Sequence, residues 1–483
     1  MSGSLRLLRT AANIAPLALA LACASLPAPP DARDDGYRYV DRSLGIALEL
    51  PPGWQGYTSA DELPPALAGA IPRGFGPKPA LIGMDASGTA LVRVLTEPVF
   101  RTDARSYFER LVEATADQVE ILAASYARDA DTVRWRFRAG RPGARFSFVE
   151  TITVRRSHAI RVAFWTGSPL FSAYADEFER IAAGALLHGE TGWEAPWREL
   201  AASLDGAAFP ALELAEDDRD PIPSCAGAPH GLLWVVESGA GKTFLFPSIH
   251  AGHPHQYPLP APVEQAFLES TRLVVEVDVR SKESSEVIAA AARRGAGEPP
   301  TAEQRERAES WLAARGIPFT PFAGQPAWML SVGLELFQWQ MEGFMPRYGV
   351  EQHFLERAGA RRIVELETAA EQVDVLERIG SDGLDHTLAS LDGMSEQIQA
   401  VYAAWYCGDE ASVARAAAQA DSSMPPALQE AVFTSRNETM AERLVPLLDD
   451  PGVTFVPVGL GHFLGPRGLP ALLEQRGYAV RSR

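Results

Sequence analysis

The stretch between positions 232 and 279 constrains the fold of this chain more than any other feature. Two apolar segments, Leu232–Glu237 and Thr243–Phe246, flank a glycine-rich turn and predict a pair of strands. A helix is predicted at Pro262–Ser270, and the strongly apolar segment "RLVVEVDV" at Arg272–Val279 predicts another strand. A strand, a helix and a further strand in this order imply a parallel pair joined by a helical crossover.

This layout predicts where a site would form. In open sheets with parallel strands, ligands bind at the carboxyl ends of the strands. His250 lies just past one such end, and Glu276 and Asp278 lie near the end of the next strand. The two carboxylates share a face because side chains alternate along a strand. His253 and His255 follow in the same loop, and we expect them to face solvent.

The length of 483 residues exceeds that of one ordinary core and predicts two domains. The net charge of -18 argues against a nucleic-acid partner, which would need a basic face. In the first domain, strands, a helix, antiparallel strands and a helix follow one another, which indicates an α+β fold with helices on an antiparallel sheet. The second domain is expected to be of α/β type, with a mixed sheet and a site at its strand ends. The predicted boundaries are 1–23 for a targeting segment, 24–35 for a tether, 36–190 for the first domain, 191–228 for an acidic linker and 229–483 for the second domain.

The N-terminus has the pattern of an export signal. Arg6 and Arg9 precede a short apolar stretch that is too short to span a bilayer, and small residues follow it. The segment "LALACAS" resembles a bacterial lipobox, in which Cys23 would be acylated and would anchor the protein to a membrane. An ordinary signal peptidase site is the alternative. Both interpretations predict a location outside the cytoplasm, in the periplasm or cell envelope.

Two cysteines remain beyond Cys23. An even pair in an oxidising compartment favours a disulfide between Cys225 and Cys407. Two separate buried thiols remain the alternative, because the sequence does not give the distance between their Cα atoms.

The second domain resembles the TraB/GumN family, which includes the Tiki metalloproteases. The segments "LFPSIH", "YPLP" and "LVVEVD" match its opening, and "QPAWMLSVGLEL" matches its Pro-Trp segment. The segments "YGVEQHFLERAGARRIVELETAAEQVDVLERI", "RNETMAERLVPLL" and "TFVPVGLGHFLGPRGLPALLEQRGYAV" match its later landmarks in order. The first domain, through "SLGIALELPPGWQ", is similar to the PsbP/Mog1-like fold.

The family resemblance implies a metal-dependent, peptidase-like hydrolase that acts on a peptide or protein. Imidazole and carboxylate ligands suit a divalent ion such as Zn, Mn or Co. A carboxylate that does not bind the ion would accept the proton of water, and Arg436 would stabilise an oxyanion or bind a substrate carboxylate. The implied metal ligands are His250, His462 and Glu276, and the implied catalytic residues are Glu276, Glu367, Arg436 and Asn437.

Structural roles are the alternatives for these residues. His462 would then be an ordinary loop histidine, Glu276 would belong to a buried ion pair, and Glu367 would form a salt bridge with Arg436. The sequence also departs from the family pattern at Pro247, where the first Gly-x-x-His motif has its glycine. Proline fixes φ and removes an N–H group. An inactive family member that binds a partner, or a protein that binds metal or haem without turnover, is therefore a further alternative.

Overall fold

A computed structural model describes most of residues 36–187 and 221–483. Cys23 and most of the predicted acidic linker lie outside the described residues. The described chain divides into two compact units, Met1–Asp220 with Glu309–Pro321, and Pro221–Ala308 with Phe322–Arg483. Within the two ranges, the gaps in the description are 42–45, 59–78, 86–87, 117–118, 128–130, 142–143, 156, 185, 239–240, 295–296, 316, 318, 320–321 and 416–423.

The described part of the first unit consists mainly of antiparallel strands and helices. Its strands are β1 Tyr37–Asp41, β2 Ile46–Leu50, β3 Gln55–Tyr57, β4 Pro79–Met84, β5 Leu91–Pro98, β6 Val119–Ala127, β7 Thr132–Arg141, β8 Ala144–Arg155, β9 His158–Gly167 and β10 Leu186–Leu187. Its helices are α1 Ala104–Thr115 and α2 Phe171–Gly184. The strands form a seven-stranded sheet in the order β3-β4-β5-β9-β8-β7-β6 and a three-stranded sheet in the order β1-β2-β10.

Local signals in the sequence account for this arrangement. Helix α1 begins after Asp103, whose side chain accepts the N–H of Ser106 at 2.6 Å and caps the helix. Along β7 and β8, alternate residues project from one face of the sheet, and the rings of Phe137 and Phe148 stack there at 4.6 Å. The predicted α+β fold, with an antiparallel sheet and helices, is confirmed.

The second unit alternates strands and helices. Its strands are β11 Trp234–Glu237, β12 Gly241–Ser248, β13 Arg272–Val275, β14 Arg362–Glu365, β15 Gly452–Gly459 and β16 Val480–Ser482. Helices occur at α3 Ala261–Glu269, α4 Lys282–Arg294, α5 Ala302–Ala314, α6 Ala327–Met341, α7 Val350–Glu356, α8 Ala369–Cys407, α9 Pro426–Gln429, α10 Ser435–Leu448 and α11 Leu469–Gln475. Helix α5 crosses the boundary between the two units at Ala308.

The sheet of the second unit is mixed, as predicted, in the order β14-β13-β15-β12-β11-β16. Strands β12, β15, β13 and β14 run parallel, and β11 is antiparallel to both of its neighbours, β12 and β16. The predicted pairing of β12 with β13 is wrong, because β15 lies between them. The apolar strand β15 is buried between two parallel neighbours. Its position in the sheet depends on pairing with β12 and β13, which lie about 200 residues earlier in the sequence.

The strand predicted at Arg272–Val279 ends at Val275. Beyond it, the Asp278 N–H donates to a carboxylate oxygen of Glu365 at 2.7 Å, and Asp278 binds Arg280 at 2.9 Å. Asp278 therefore lies outside the strand and does not share the face that strand alternation predicted for it and Glu276. Glu276 alone therefore remains at the strand end as the predicted carboxylate.

A disulfide joins Cys225, before β11, to Cys407, the last residue of α8. Its Cα atoms are 5.5 Å apart. The sequence left this bridge and two separate thiols open. Among the described residues, no helix combines the length and the apolar character needed to cross a membrane.

Candidate metal centre

Two turns that carry histidines leave the sheet at the same edge. Strands β12 and β15 are parallel neighbours, and Ser248 pairs with Gly459 at their carboxyl ends. His250 follows β12 by two residues. His462 lies in a short 3-10 helix, Leu460–Phe463, that directly follows β15. The two histidine turns predicted from the sequence therefore start at adjacent strand ends.

Glu276 lies at this edge as the first residue after β13, and it is only 3% exposed. Its Oε1 accepts the backbone N–H of Gly459 at 2.6 Å. Its Oε2 accepts hydrogen bonds from Arg436 at 3.1 Å and from Gln372 at 3.2 Å. Burial raises the pKa of Glu276, but the two site histidines and Arg436 lower that pKa to about 2. The carboxylate is therefore ionised at neutral pH.

His462 is 3% exposed and is held in its neutral form. The Asn437 amide donates to the carbonyl of Arg467 at 2.8 Å, which turns Asn437 Oδ1 toward the imidazole. His462 Nδ1 lies 2.6 Å from that oxygen and must donate to it, so Nε2 carries a lone pair. Burial lowers the pKa of His462 to about 4. His462 Nε2, which carries this lone pair, lies 3.9 Å from the ionised Glu276 Oε1.

A second carboxyl group, Glu351 in the first turn of α7, also belongs to this site. The Ser248 hydroxyl donates to Glu351 Oε1 at 2.8 Å, and His250 Nδ1 lies 3.5 Å from the same oxygen. Burial and the neighbouring charge of Glu276 raise the pKa of Glu351 well above its ordinary value. The His250 side chain is 68% exposed, so this side of the site is open to solvent.

The ligand atoms of His250, Glu276 and Glu351 all lie within 4.8 Å of one another. Of the described residues, this is the group whose composition suits a divalent ion, with one imidazole nitrogen and two carboxylate oxygens. His462 approaches Glu276 but does not belong to the group. Two of the three implied metal ligands therefore lie together, and Glu351 takes the third place in the geometry.

Gly459 allows these side chains to meet. A Cβ atom at this position would lie 2.8 Å from Glu276 Oε1 and 3.0 Å from His250 Nε2. The backbone φ of -50° is accessible to any residue, so the glycine is required for close approach rather than for a left-handed conformation. Its N–H is at the same time the donor to Glu276.

Arg436, in the first turn of α10, joins the two buried carboxylates. Its Nε and Nη2 donate to the two oxygens of Glu367 at 2.8 and 2.6 Å, and Nη2 also reaches Glu276. Gln372 donates to Glu367 at 3.1 Å and completes the network. The guanidinium of Arg436 and the carboxylate of Glu367 thus both have hydrogen-bond partners within the protein. Arg436 forms ion pairs with Glu276 and with Glu367, the contacts that the structural alternative describes, and a catalytic role for these residues stays a prediction.

Pro247 fits its strand. It lies inside β12, opposite Val458 of β15, and its carbonyl accepts the indole N–H of Trp405 at 2.7 Å. In a strand, the nitrogen and the carbonyl of one residue face the same side, so the missing N–H points toward Trp405 rather than toward β15. The ladder to β15 loses no donor, and an extended φ near -65° is the natural one for proline. The substitution of proline for glycine therefore gives no structural reason for inactivity.

The prediction that His253 faces solvent is wrong. His253 is fully buried, and its ring accepts the N–H of His255 at 3.2 Å at the start of a short 3-10 turn. The backbone N–H of His253 donates to Gln256 Oε1 at 3.1 Å. This capping of the turn gives a buried histidine a structural role that the loop composition did not reveal. His255 is exposed, as predicted.

Sequence reasoning missed Glu351, Gln372 and the role of Gly459. Glu351 looks like an ordinary acidic residue in the first turn of a helix, where carboxylates are common. The only available signal was its position beside the "YGVEQHF" landmark. Gln372 has no distinguishing pattern, because it occurs in a polar part of α8.

Comparison with known proteins gives the same assignment for the second unit. The model of the TraB/PrgY/gumN family matches residues 232–482, slightly more than half of the chain. "Uncharacterized protein YbaP" of Shigella flexneri is 25% identical over 245 residues, which are 50% of this chain and 90% of that protein. The protein of the same description from Escherichia coli K12 is 25% identical over 235 residues, 48% of this chain and 87% of the relative.

Similar solved structures cover the first part of the chain. The solution structure of PsbP from Synechocystis has a TM-score of 0.25 and 13% identity, and covers 34% of this chain and 98% of that one. The Saccharomyces cerevisiae Ran-binding protein Mog1p has a TM-score of 0.21 and 11% identity, and covers 35% and 89%.

Proposed function

The chain belongs to the TraB/PrgY/gumN family, and on that premise we propose that its second unit is a metal-dependent hydrolase of peptide bonds. The observation that carries the proposal is the convergence of His250, Glu276 and Glu351 within 4.8 Å at one edge of the sheet. Ligand sites of parallel sheets form at such strand ends.

The donor set fits a divalent ion such as Zn, Mn or Co. Two carboxylates this close repel each other when both are ionised, and the raised pKa of Glu351 reflects that repulsion as well as burial. His462 Nε2, whose lone pair is a third electron-rich group, lies 3.9 Å from Glu276 Oε1. A bound cation would stabilise all of these groups. His250, Glu276 and Glu351 would hold it, with His462 beside them.

Hydrolysis divides the work between the ion and the protein. The ion would polarise the scissile carbonyl and lower the pKa of water. The hydroxyl of water bonds to the carbonyl carbon, the C–N bond breaks, and the remaining proton of water goes to the amine nitrogen. Burial keeps the His462 ring neutral and Asn437 fixes the tautomer with the lone pair on Nε2, so we assign Nε2 the transfer of that proton. Arg436 and Gly459 keep the Glu276 carboxylate aimed at the site.

We further propose that the protein works in the periplasm or cell envelope, held by a lipid on Cys23. The lipobox-like segment supports this location, and so does the disulfide between Cys225 and Cys407, because such bonds persist in oxidising compartments. The substrates would be peptides or proteins of that compartment.

Replacing Glu351 by glutamine tests the proposed function. We expect Glu351→Gln to lower kcat/KM for a peptide mixture at least about 100-fold in the Mn-, Co- or Zn-loaded protein, because the change removes one charged ligand. The matched control is Glu356→Gln on the exposed end of the same helix, which should leave the rate unchanged. Mass spectrometry of the cleaved peptides gives the rates. If Glu351→Gln cleaves peptides as fast as the wild type, the assignment of this site is wrong.

A protein that binds metal without turnover would behave differently in the same experiment. In that case the Glu351→Gln variant would lose its metal, but neither the variant nor the wild type would cleave any peptide. The two readouts, metal content and cleavage, therefore separate the hydrolase from a binding protein.

A further inference from the structure

A π-helical turn, Glu430–Thr434, directly precedes α10 and the site residue Arg436. Its backbone closes with the wide bond of a π-helix, from the N–H of Ser435 to the carbonyl of Glu430. Such turns are rare, and they occur frequently at functional sites. This one lies between α9 and α10 without a break in the chain.

The turn has two contacts with the candidate metal centre. The carbonyl of Val432 accepts a hydrogen bond from Arg436 Nη1 at 3.0 Å, so the turn helps to aim the guanidinium at Glu276 and Glu367. The next residue, Phe433, places its ring against the loop that carries His462, with ring centroids 5.7 Å apart and an angle of 67° between the planes. The edge of one ring thus meets the face of the other.

The loop is adapted to this ring. A Cβ atom at Gly461 would overlap with Phe433 Cε1, so any other residue there would displace the aromatic side chain. Phe433 itself is only half-buried. An aromatic surface therefore stays open to solvent beside a fully buried histidine of the site. Ala431 and Val432, also half-buried, extend the apolar character of the turn.

We propose that Phe433 determines specificity by forming the apolar wall that receives a nonpolar side chain of the peptide, next to the bond to be cleaved. The inference rests on the proposed hydrolase function. A ring that only shielded His462 would change the affinity for all peptides by the same factor. A specificity wall changes their ranking, because an apolar surface favours an apolar side chain and leaves a carboxylate without a partner.

Binding of short peptides to the full-length, Zn-loaded protein tests this inference without requiring turnover. The probes are fluorescein-labelled Gly-Gly-X-Gly-Gly peptides, with leucine, phenylalanine, serine or aspartate at X, followed by fluorescence anisotropy. We expect the wild type to bind the leucine and phenylalanine peptides about tenfold or more tightly than the aspartate peptide. Phe433→Ser should reduce this ratio to about twofold or less, while Phe433→Leu should retain most of it.

The control is Phe100→Ser, which removes an 83% exposed phenylalanine of the first unit and should leave the ratio unchanged. Equal affinities of the wild type for all four peptides, or no binding, would overturn the inference, as would an unchanged ratio in a folded Phe433→Ser protein. Cleavage of the same peptides is measured in parallel. An apolar preference without cleavage contradicts the proposed hydrolase alone, and cleavage without a preference contradicts the role of Phe433 alone.

Discussion

Replacing Arg436 by methionine should lower the free energy of unfolding of the second unit by about 3–5 kcal/mol, the usual cost of removing one partner of a buried ion pair. Methionine keeps much of the length of the side chain and removes its charge. The carboxylates of Glu276 and Glu367, 4% and 5% exposed, would then stay buried without their cation. Urea denaturation measures the loss, and amide hydrogen exchange assigns it to the second unit.

The matched control lies on the same helix. Arg443 also makes a two-pronged contact with a carboxylate, Glu371, at 2.7 and 3.0 Å, but the two side chains are 40% and 45% exposed. Arg443→Met should therefore cost only about 1 kcal/mol or less, as exposed pairs do. Similar small losses from both substitutions would show that Arg436 is not holding buried charge.

The same network makes the stability of the second unit depend on pH. The pKa of Glu276 falls from its ordinary value of 4.5 to about 2 in the folded protein, so below pH 4.5 the unfolded chain binds the proton more readily. The contribution of this group to stability is complete above pH 4.5 and is lost as the pH falls through about 2. Arg436→Met should shift that loss toward higher pH, because one of the charges that lower the pKa is gone.

Replacing Gly459 by alanine should lower the affinity for the divalent ion at least about tenfold and reduce hydrolysis with it, as changes beside metal ligands do. The added Cβ would lie 2.8 Å from Glu276 Oε1 and 3.0 Å from His250 Nε2. Both distances are shorter than those at which a Cβ normally contacts an oxygen or nitrogen atom. One of the two ligands must therefore move. Isothermal titration with Zn and Mn measures the change in affinity.

Gly393→Ala is the control for this substitution. Gly393 lies on the exposed side of α8, and a Cβ there would contact nothing within 4 Å. Alanine at this position should leave metal binding unchanged and add about 0.5–1 kcal/mol to stability, because glycine weakens a helix interior. If Gly459→Ala binds metal as well as Gly393→Ala does, the close approach of the two ligands is not part of the site.

Much of the second unit could be predicted from its sequence, because the information is local. Apolar runs bounded by turn residues indicated β11, β12 and β13, and the strand-end rule put His250 and Glu276 at one site. Helix α3 was predicted to within a residue of each end, at Pro262–Ser270 against Ala261–Glu269. Patterns within about ten residues were sufficient for each of these inferences.

What the sequence could not supply depends on contacts between distant segments. Strand β15 inserts between β12 and β13, and no local pattern indicates which strands become neighbours. Glu351 joins the site because α7 packs beside the His250 turn, where the Val350 N–H donates to the carbonyl of Ile249 at 3.0 Å. The concern about Pro247 depended on a backbone conformation, and only the three-dimensional structure shows that the position is extended.

The metal content of the purified protein tests the central claim most directly. After dialysis against Zn, Mn or Co and removal of free ions, elemental analysis should find about one divalent ion per wild-type chain. His250→Ala should lose it, whereas His255→Ala, which removes an exposed histidine of the same loop, should retain it. Because His250 is 68% exposed, its removal should not unfold the protein. A wild type without bound metal, or a His250→Ala variant with the same metal content, would contradict the account.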